Sequence, residues 1–384
     1  MLNIPSIRIG KLFGIPIEVN LSWIAIFALV SLTLGSTYYP SIRQSAGSPS
    51  WLFALLGVLT ALCFFASILI HELCHSLVTR AEGGHVGRIT LFLFGGVSEI
   101  DEEPASPGRE FLMAAAGPAM SFLLAVVFFA LFAFATAQGA AWYVWAPLQY
   151  LALINLLVAL FNMLPGFPLD GGRVLRSILW AITGDVLKAT RWATRSGQFL
   201  GWGMVTYAVL GVSGVLSGQG NVVWFGLIGW FIAWMAGAAY RQQEVKSRLE
   251  GLTVDRIMTA APETVPGDIT VETLAHEHFL GGLHSRYPVM FEGAIHGIVS
   301  LADIKAIPRP DWPLVKVIDV ANRDIPSLTV APDAPASGIM ARLAVDKPGV
   351  LLVVGDGRLV GIVTRADLIS ALQASAAQAG PPRR

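Results

Sequence analysis

An apolar run at residues 51–70 contains no charged side chain, and the sequence His-Glu-Leu-Cys-His follows it directly at 71–75. A helix of about 20 apolar residues is long enough to cross the hydrocarbon core of a bilayer. Ionisable side chains in such a helix are costly and therefore usually serve a function. His71 and His75 lie four residues apart, so both face one side of a helix and can bind one metal ion. The run thus predicts a metal site at membrane depth.

The composition also indicates a membrane protein. The chain is 54% hydrophobic and 14% charged, whereas soluble domains carry about 25% charged residues. The net charge is zero, which gives no indication of nucleic-acid binding. Cys63 and Cys74 fall on one predicted helix, where the axial rise separates them by roughly 16 Å, too far for a disulfide. Residues 1–20 lack the cleavage pattern of a signal peptide.

Six apolar segments approach the length of a membrane-spanning helix. They cover residues 20–36, 51–79, 109–134, 143–164, 197–216 and 222–240. Every second connection is rich in Lys and Arg, whereas the alternate connections hold only Arg43. Because basic residues concentrate on the cytosolic side, this distribution predicts a polytopic α-helical protein with both termini in the cytosol. We expect it to lie in the lipid bilayer of a prokaryotic cytoplasmic membrane.

The connection at residues 83–101 has strand composition rather than helix composition. Apolar and aromatic residues fill the run between two Gly-Gly pairs, which predicts a short membrane-associated β-hairpin or sheet. Gly95, Gly96 and Val97 lie in the part of this segment that can pair with an extended peptide. The alternative is a loop that only packs over the helices.

After Arg241 the chain becomes richer in charged residues and prolines, and its apolar runs shorten. Segment 296–304 is similar to segment 360–368, an offset of 64 residues. Short strands alternate with helical segments in each copy, which predicts a soluble α/β domain built from a repeat. We divide the chain into a transmembrane domain at 1–240, a linker at 241–251, two repeats at 252–307 and 313–373, and a disordered tail at 374–384.

A catalytic zinc site needs three protein ligands and one open position. His71 and His75 supply two ligands. Glu72 lies one step round the helix, where its carboxylate can reach a water bound to the ion and take its proton. The third ligand has to come from another part of the chain.

Three residues are candidates for that third ligand. His85 follows a Gly-Gly pair and does not fit the longer zinc-binding pattern with three histidines. Glu99 belongs to an acidic stretch at 99–103 that we expect to be solvated. Asp170 lies in the Pro- and Gly-interrupted stretch at 162–173, after an apolar span. Irregular backbone at membrane depth has to line protein or a water-filled cavity, and a carboxylate there needs a cation, so Asp170 is favoured.

The membrane part of the chain resembles the site-2 protease family of intramembrane zinc metalloproteases. The resemblance covers residues 1–240 and rests on the His-Glu-x-x-His sequence at 71–75 and on Asn-x-x-Pro-x-x-Pro-Leu-Asp-Gly-Gly-Arg at 162–173. Phe-Gly-Gly-Val at 94–97 and Ala-Gly-Pro at 116–118 are also similar. The family implies one Zn²⁺ per subunit and the following site residues: His71, His75 and Asp170 as ligands, Glu72 as general base, and Asn162 near the substrate backbone or oxyanion.

One position departs from the family pattern. Cys74 occupies a place that often holds Gly or Ala. A thiolate there, three residues after His71, can approach the metal, but we favour a packed, protonated thiol.

The repeat resembles a tandem pair of cystathionine-β-synthase-type (CBS) domains, through its two Gly-Ile-Val-Ser/Thr-x-x-Asp units. In such pairs the Ser or Thr and the Asp often contact the phosphate and ribose of an adenine nucleotide. The residues implied here are Ser300, Asp303, Thr364 and Asp367. Many such pairs bind nothing and serve as dimerisation platforms, so a homodimer is also expected.

Together these features predict a zinc-dependent endopeptidase that cuts transmembrane helices of membrane-tethered regulatory proteins and is controlled by nucleotide binding. Two alternatives remain open. In a metal-ion transporter, His71, His75 and Asp170 would bind the transported ion, although transporters tend to have internal repeats of their membrane spans and none is visible here. A nucleotide-sensing membrane scaffold with a dead catalytic centre would not need its intact set of metal-binding residues.

Overall fold

The computed structural model describes residues 6–93, 95–100, 104–213, 222–249, 251–280, 284–345 and 349–378. The chain divides into two compact units, Met1–Arg241 and Gln242–Arg384. The first unit contains long helices and one sheet, and the second is an α/β domain of short elements. Both classes of structure agree with the fold expected from the sequence.

The long helices begin at clear sequence signals. Asn20 caps α1, its side chain accepting a hydrogen bond from Ser22 N at 3.0 Å, and Ser106 caps α3, which has proline at its first position. Asp185 caps α6 by accepting from the Lys188 N–H, a bond that lowers the pKa of this exposed carboxyl. The described long helices are α1 (Leu21–Ser41), α2 (Ser50–Ala81), α3 (Pro107–Ala137), α4 (Trp142–Asn162), α5 (Asp170–Thr183), α6 (Val186–Val212) and α7 (Val222–Leu249).

Five of these helices are long and apolar enough to cross a membrane: α1 to α4, and α7 over Val222–Val245. Six spans were expected, so the segment at 197–216 differs from the expectation. Residues 197–212 of this segment form the second half of α6, whose first half carries Lys188, Arg191 and Arg195. Glycine, serine, threonine and glutamine interrupt the apolar residues that follow and lower the mean hydropathy of the helix.

The sheet of the first unit has the strand order β1-β2-β3-β4. The hairpin expected within residues 83–101 consists of β3 (Val86–Phe92) and β4 (Gly95–Ile100), paired antiparallel. The other two strands were not anticipated: β1 (Ser6–Leu12) and β2 (Ile15–Asn20) form an N-terminal hairpin, and β2 pairs parallel with β3. Ile15, Ile17 and Ile89 are buried against α2, so the sheet packs on the helix that carries His71.

The second unit repeats one arrangement twice. Each copy has an antiparallel hairpin with a short parallel strand beside it. A bulge falls at the same place in both hairpins, between Val289 and Met290 and between Val353 and Val354. The strands are β5 (Thr259–Ala260), β6 (Val265–Pro266), β7 (Arg286–Phe291), β8 (Ala294–Ser300), β9 (Thr329–Val330), β10 (Val350–Gly355) and β11 (Arg358–Thr364).

The helices of this unit are shorter than those of the first unit. They are α8 (Val254–Ile257), α9 (Val271–Leu274), α10 (Leu301–Lys305), α11 (Val317–Val320), α12 (Ile325–Leu328), α13 (Ala336–Val345) and α14 (Arg365–Gln378). The linker and the tail of the chain are both partly helical. The expected linker at 241–251 is helical as far as Leu249, which is buried among residues of the second unit. The expected disordered tail is helical from Ala374 to Gln378, and residues 379–384 lie outside the described part of the chain.

Candidate metal centre

Helix α2 presents His71 and His75 on one buried face, as their spacing requires. His75 Nδ1 donates to the backbone oxygen of Met113 at 2.6 Å, and His71 Nδ1 lies 2.8 Å from the hydroxyl of Ser121. Because the Nδ1 atoms are used in these bonds, the Nε2 atoms are the ones available to a metal. Both partners lie on α3, so α3 fixes the orientation of both rings.

Asp170 is the first residue of α5 and meets the two histidines. Its Oδ2 atom lies 3.1 Å from His71 Nε2 and 3.3 Å from His75 Nε2, and the two Nε2 atoms are 3.2 Å apart. Among the described residues, these three form the one group whose donor atoms converge closely enough for a metal ion. The structure therefore brings together the three side chains that the sequence proposed as ligands.

The three donor atoms fit zinc in both chemistry and spacing. Two imidazoles and a carboxylate are a common ligand set of catalytic zinc. Ligand atoms about 2.0–2.1 Å from a tetrahedral zinc lie about 3.3 Å from each other, close to the separations among His71, His75 and Asp170. Three protein ligands leave the fourth position of the tetrahedron for water or substrate.

Glu72 lies beside this group on the neighbouring position of α2. Its Oε2 atom accepts a hydrogen bond from the Ser98 hydroxyl of β4 at 3.1 Å. The Ser98 hydroxyl is also 3.1 Å from the hydroxyl of Ser76, one turn further along α2. Gly96 leaves room for this arrangement, because a methyl group there would overlap Glu72 Cγ. The β4 strand thus holds the carboxylate in place.

Helix α3 contributes residues that sequence reasoning missed. A methyl group at Gly117 would overlap the Nε2 atoms of both histidines, so α3 can approach α2 only because this residue is glycine. Ser121 is buried, and Met113 supplies a carbonyl rather than a side chain. Gly117 was visible in the Ala-Gly-Pro sequence, and Ser121 lies one turn after it. The four-residue spacing of Gly117 and Ser121 indicates one face of α3. It does not identify α2 as the helix that packs against that face.

The stretch 163–169 between α4 and α5 is irregular and tightly packed. Phe167 N donates to the Ala193 oxygen of α6 at 3.1 Å. Methyl groups at Gly172 and Gly197 would both overlap the backbone of this stretch. The close approach of α5 and α6 therefore fixes the chain immediately before Asp170.

A cavity of about 700 Å³ opens onto the metal centre. Its walls come from strand β4 and from every long helix except α6, and most of the lining is apolar. Gly95, Gly96 and Val97, proposed as substrate contacts, lie on its wall, and so does Asn162. The three proposed ligands also lie on its wall, so the cavity gives access to them.

The remaining candidates have other surroundings. Glu99 is exposed, as expected, but it lies in strand β4 rather than in a loop and pairs with Arg88 Nε at 2.8 Å. His85 is exposed just before β3. Cys74 does not belong to the converging group that the described residues form, and both cysteines are free. Residues 94 and 101–103 lie outside the described part of the chain.

The four proposed nucleotide contacts are paired with each other in the second unit. The Ser300 hydroxyl donates to Asp303 Oδ2 at 2.6 Å and the Thr364 hydroxyl to Asp367 Oδ2 at 2.7 Å. Each pair caps a helix start, α10 or α14. Thr364 also lines a cavity of about 100 Å³.

Comparison with known proteins gives consistent matches for both units. The model of "Peptidase family M50" matches residues 59–141 and 132–204, and that of "CBS domain" matches residues 254–308 and 317–374. The Synechocystis protein sll0528, named as a candidate zinc metalloprotease, is 37% identical over 97% of each chain. Rip3 of Mycobacterium tuberculosis, named in the same way, is 35% identical over 94% of this chain and 92% of its own.

A solved structure, the site-2 protease from Methanocaldococcus jannaschii, is 30% identical and covers 62% of this chain and 95% of that chain, with a TM-score of 0.42. The match to the peptidase family includes His71, Glu72 and His75 in one part and Asp170 in the other. Because the relative from Synechocystis matches along almost its whole length, the chain belongs to peptidase family M50, the site-2 protease family of membrane zinc metalloproteases, and carries a pair of CBS domains.

Proposed function

We propose that His71, His75 and Asp170 hold the catalytic zinc of this protease and that it hydrolyses peptide bonds in transmembrane segments of membrane-tethered regulatory proteins. The observation that carries the proposal is the convergence of three donor atoms, 3.1–3.3 Å apart, at an apolar cavity between membrane-length helices. Because the cavity is apolar and is lined by membrane-length helices, a membrane helix can enter it from the lipid without exposing its apolar side chains to water.

In the mechanism, a zinc ion held by His71, His75 and Asp170 would polarise the substrate carbonyl and lower the pKa of a bound water. Glu72 takes the proton of the attacking water and later passes it to the leaving amine. Ser98 holds the carboxylate of Glu72 by the bond at 3.1 Å. Asn162, at the end of α4 on the cavity wall, is suited to hold the substrate carbonyl through its amide group.

The substrate has to unwind locally before cleavage, because a helix hides its amides in internal hydrogen bonds. Strand β4 ends the sheet, so its outer edge can pair with an extended segment. Gly95, Gly96 and Val97 lie on the cavity wall at this strand. The proposed role of β4 is to hold the unwound segment next to Glu72.

Replacement of Glu72 by Gln tests the assignment of the base. The amide keeps the shape of the side chain but cannot take a proton, so we expect cleavage of a co-expressed membrane substrate to fall at least about 100-fold. Zinc content, measured by atomic absorption, should stay near one per chain. Glu82→Gln, at the end of the same helix, is the matched control and should cleave normally. Full turnover by Glu72→Gln would contradict the role of Glu72.

The cleavage assay, combined with a zinc-transport assay in vesicles, separates the alternative functions. A transporter would move zinc across vesicle membranes and cleave nothing. A scaffold with a dead centre would do neither. The protease should lose cleavage when zinc is removed by 1,10-phenanthroline and regain it when zinc is added back.

The proposed orientation places both termini in the cytosol, in the cytoplasmic membrane of a prokaryote. The Lys and Arg distribution supports it, provided that α6 crosses the membrane in addition to the five apolar helices. His71 lies ten residues before the end of α2 at Ala81, which corresponds to about 15 Å along the helix. The metal would then lie in the cytosolic half of the bilayer.

The CBS pair is proposed to bind an adenine nucleotide and to regulate proteolysis. Ser300, Asp303, Thr364 and Asp367 occupy equivalent places at the starts of α10 and α14. A homodimer formed through this pair is a second part of the proposal.

A further inference from the structure

A buried ion pair joins two helices near the metal centre, and the proposed chemistry does not use it. Glu110 of α3 is 0% exposed and Arg176 of α5 is 7% exposed. Arg176 Nε donates to Glu110 Oε1 at 2.5 Å, and the Nη2 atom of Arg176 contacts the same oxygen. Buried ion pairs lose much of their attraction to desolvation and are often replaceable by apolar residues without loss of stability. Stability alone is therefore a weak reason for this pair.

The Glu110 side of the pair belongs to the face of α3 that orients the metal ligands. Residues 110, 113, 117 and 121 follow each other at intervals of three or four and so share one face. Met113 accepts from His75, Gly117 touches both rings, and Ser121 contacts His71. The position of α3 therefore decides where the two Nε2 atoms point.

The Arg176 side belongs to the helix that begins with the third ligand. Asp170, Arg173 and Arg176 are three residues apart on α5, and Arg173 Nη1 lies 3.7 Å from the Met113 sulfur of α3. The Arg176 guanidinium also lies over the Phe167 ring, 5.3 Å from its centroid. Arg176 thus contacts both α3 and the stretch that leads into Asp170.

We propose that the Glu110–Arg176 pair positions Asp170 against the two histidines by fixing α5 relative to α3. Arg176 lies six residues beyond Asp170, about 9 Å along a rigid helix, so a displacement at Arg176 moves the Asp170 carboxylate. A zinc ligand tolerates only about 0.2 Å of error in its distance to the ion. Arg is suited to this role because its planar guanidinium approaches a carboxylate in a defined orientation. Both residues are positioning residues and neither touches the metal.

The proposal rests on the proposed zinc site, and the experiment is a zinc competition titration of the full-length protein in detergent with a chromogenic chelator. The variants are Arg176→Lys, which keeps the charge, and the double variant Glu110→Leu/Arg176→Met, which replaces the pair by apolar side chains. Lys188→Met removes a lysine from an exposed ion pair at the start of α6 and is the control. Thermal unfolding of the metal-free proteins is measured in parallel.

We expect both pair variants to raise the zinc Kd at least about tenfold, in the range seen when groups that orient metal ligands are removed. The control should bind zinc like the parent. The double variant should unfold at nearly the parent's temperature, which separates positioning from stability. Should it fail to fold, the Arg176→Lys titration decides. Parent-like zinc affinity in a folded pair variant would overturn the positioning role, whereas failure of the parent to bind zinc would overturn the proposed zinc site itself.

Discussion

Gly117 shows how closely the metal centre depends on single residues outside its ligand set. The backbone of α3 passes directly beside the imidazoles of His71 and His75, and there is no space for a side chain. The same helix binds the far nitrogen of each ring, through Met113 O and Ser121. Helix α3 therefore lies against the Nε2 atoms of both rings and also contacts their Nδ1 atoms.

Replacing Gly117 by Ala should displace both rings, because the added methyl group would overlap their Nε2 atoms. We expect the zinc content of the purified variant to fall below half of the parent's and proteolysis to fall with it. Gly108→Ala, in the first turn of the same helix, meets no atom within 4 Å and should leave both unchanged. A Gly117→Ala protein with normal zinc content would show that α3 can move away without consequence.

At this scale the sequence predicted the residues proposed to do the chemistry, and the structure brings them together, but it missed the residues that support them. His71, Glu72 and His75 are readable because helix spacing alone puts them together, and Asp170 because its surroundings are unusual for a membrane segment. Ser121 and Glu110 are ordinary residues in an apolar helix. Their importance comes from which helix packs against α3, and no local pattern contains that information.

Among the elements, α6 differs most from a simple membrane helix. Its first half is basic and is capped by Asp185. Its second half mixes glycines with apolar residues. Gly197 and Gly201 allow the backbones of neighbouring segments to approach closely, and in membrane helices such small residues usually mark packing surfaces. These glycines at packing surfaces contribute to the lower hydropathy of α6 relative to the five helices that are long and apolar enough to cross a membrane.

We predict that α6 crosses the membrane. Single cysteines placed at Gln138, Thr183 and Ser213, in a background without Cys63 and Cys74, report the side of each connection to an impermeant maleimide. Gln138→Cys and Ser213→Cys should react in intact cells, and Thr183→Cys should react only after permeabilisation. Equal reactivity at positions 183 and 213 would contradict the prediction. Both ends of α6 would then lie on the same side of the membrane, and the two termini of the chain would lie on opposite sides.

The strands were only partly predictable. The β3–β4 hairpin was indicated by apolar residues between glycine pairs. The β1–β2 hairpin has a comparable signal, since Ile7 and Ile9 alternate with polar residues ahead of a Phe13-Gly14 turn. The pairing of β2 with β3 joins segments about 70 residues apart and could not be inferred locally.

On the scale of the whole molecule, the chain combines a membrane protease unit with a repeat unit that the sequence had already revealed. The repeat was predictable because the same sequence pattern occurs twice in the chain. In the structure, the β-bulges also recur at equivalent positions. Nucleotide binding is less readable, because the same Ser/Thr and Asp residues also cap helices. A capping role and a ligand role draw on the same side chains.

Calorimetry on the full-length protein with ATP, ADP and AMP tests the ligand role. We expect saturable heat with at least one nucleotide and at least about tenfold weaker binding for Asp367→Asn, since a bond to a charged group contributes roughly 1.5–3 kcal/mol. Asp356→Asn, in the β10–β11 turn, is the control. Absence of heat with all three nucleotides would leave the pair with a role in dimerisation alone.

The size of the cavity limits what the protease can recognise at one time. One turn of a helix with its side chains fills roughly 500 Å³, and the cavity holds about 700 Å³. A substrate segment of about one turn therefore fills most of the cavity, and the rest of its span stays in lipid. Selectivity must then be encoded in a few consecutive residues and in how readily they leave the helical state. Glycine or proline near the scissile bond should matter more to this enzyme than the overall identity of the protein that it cuts.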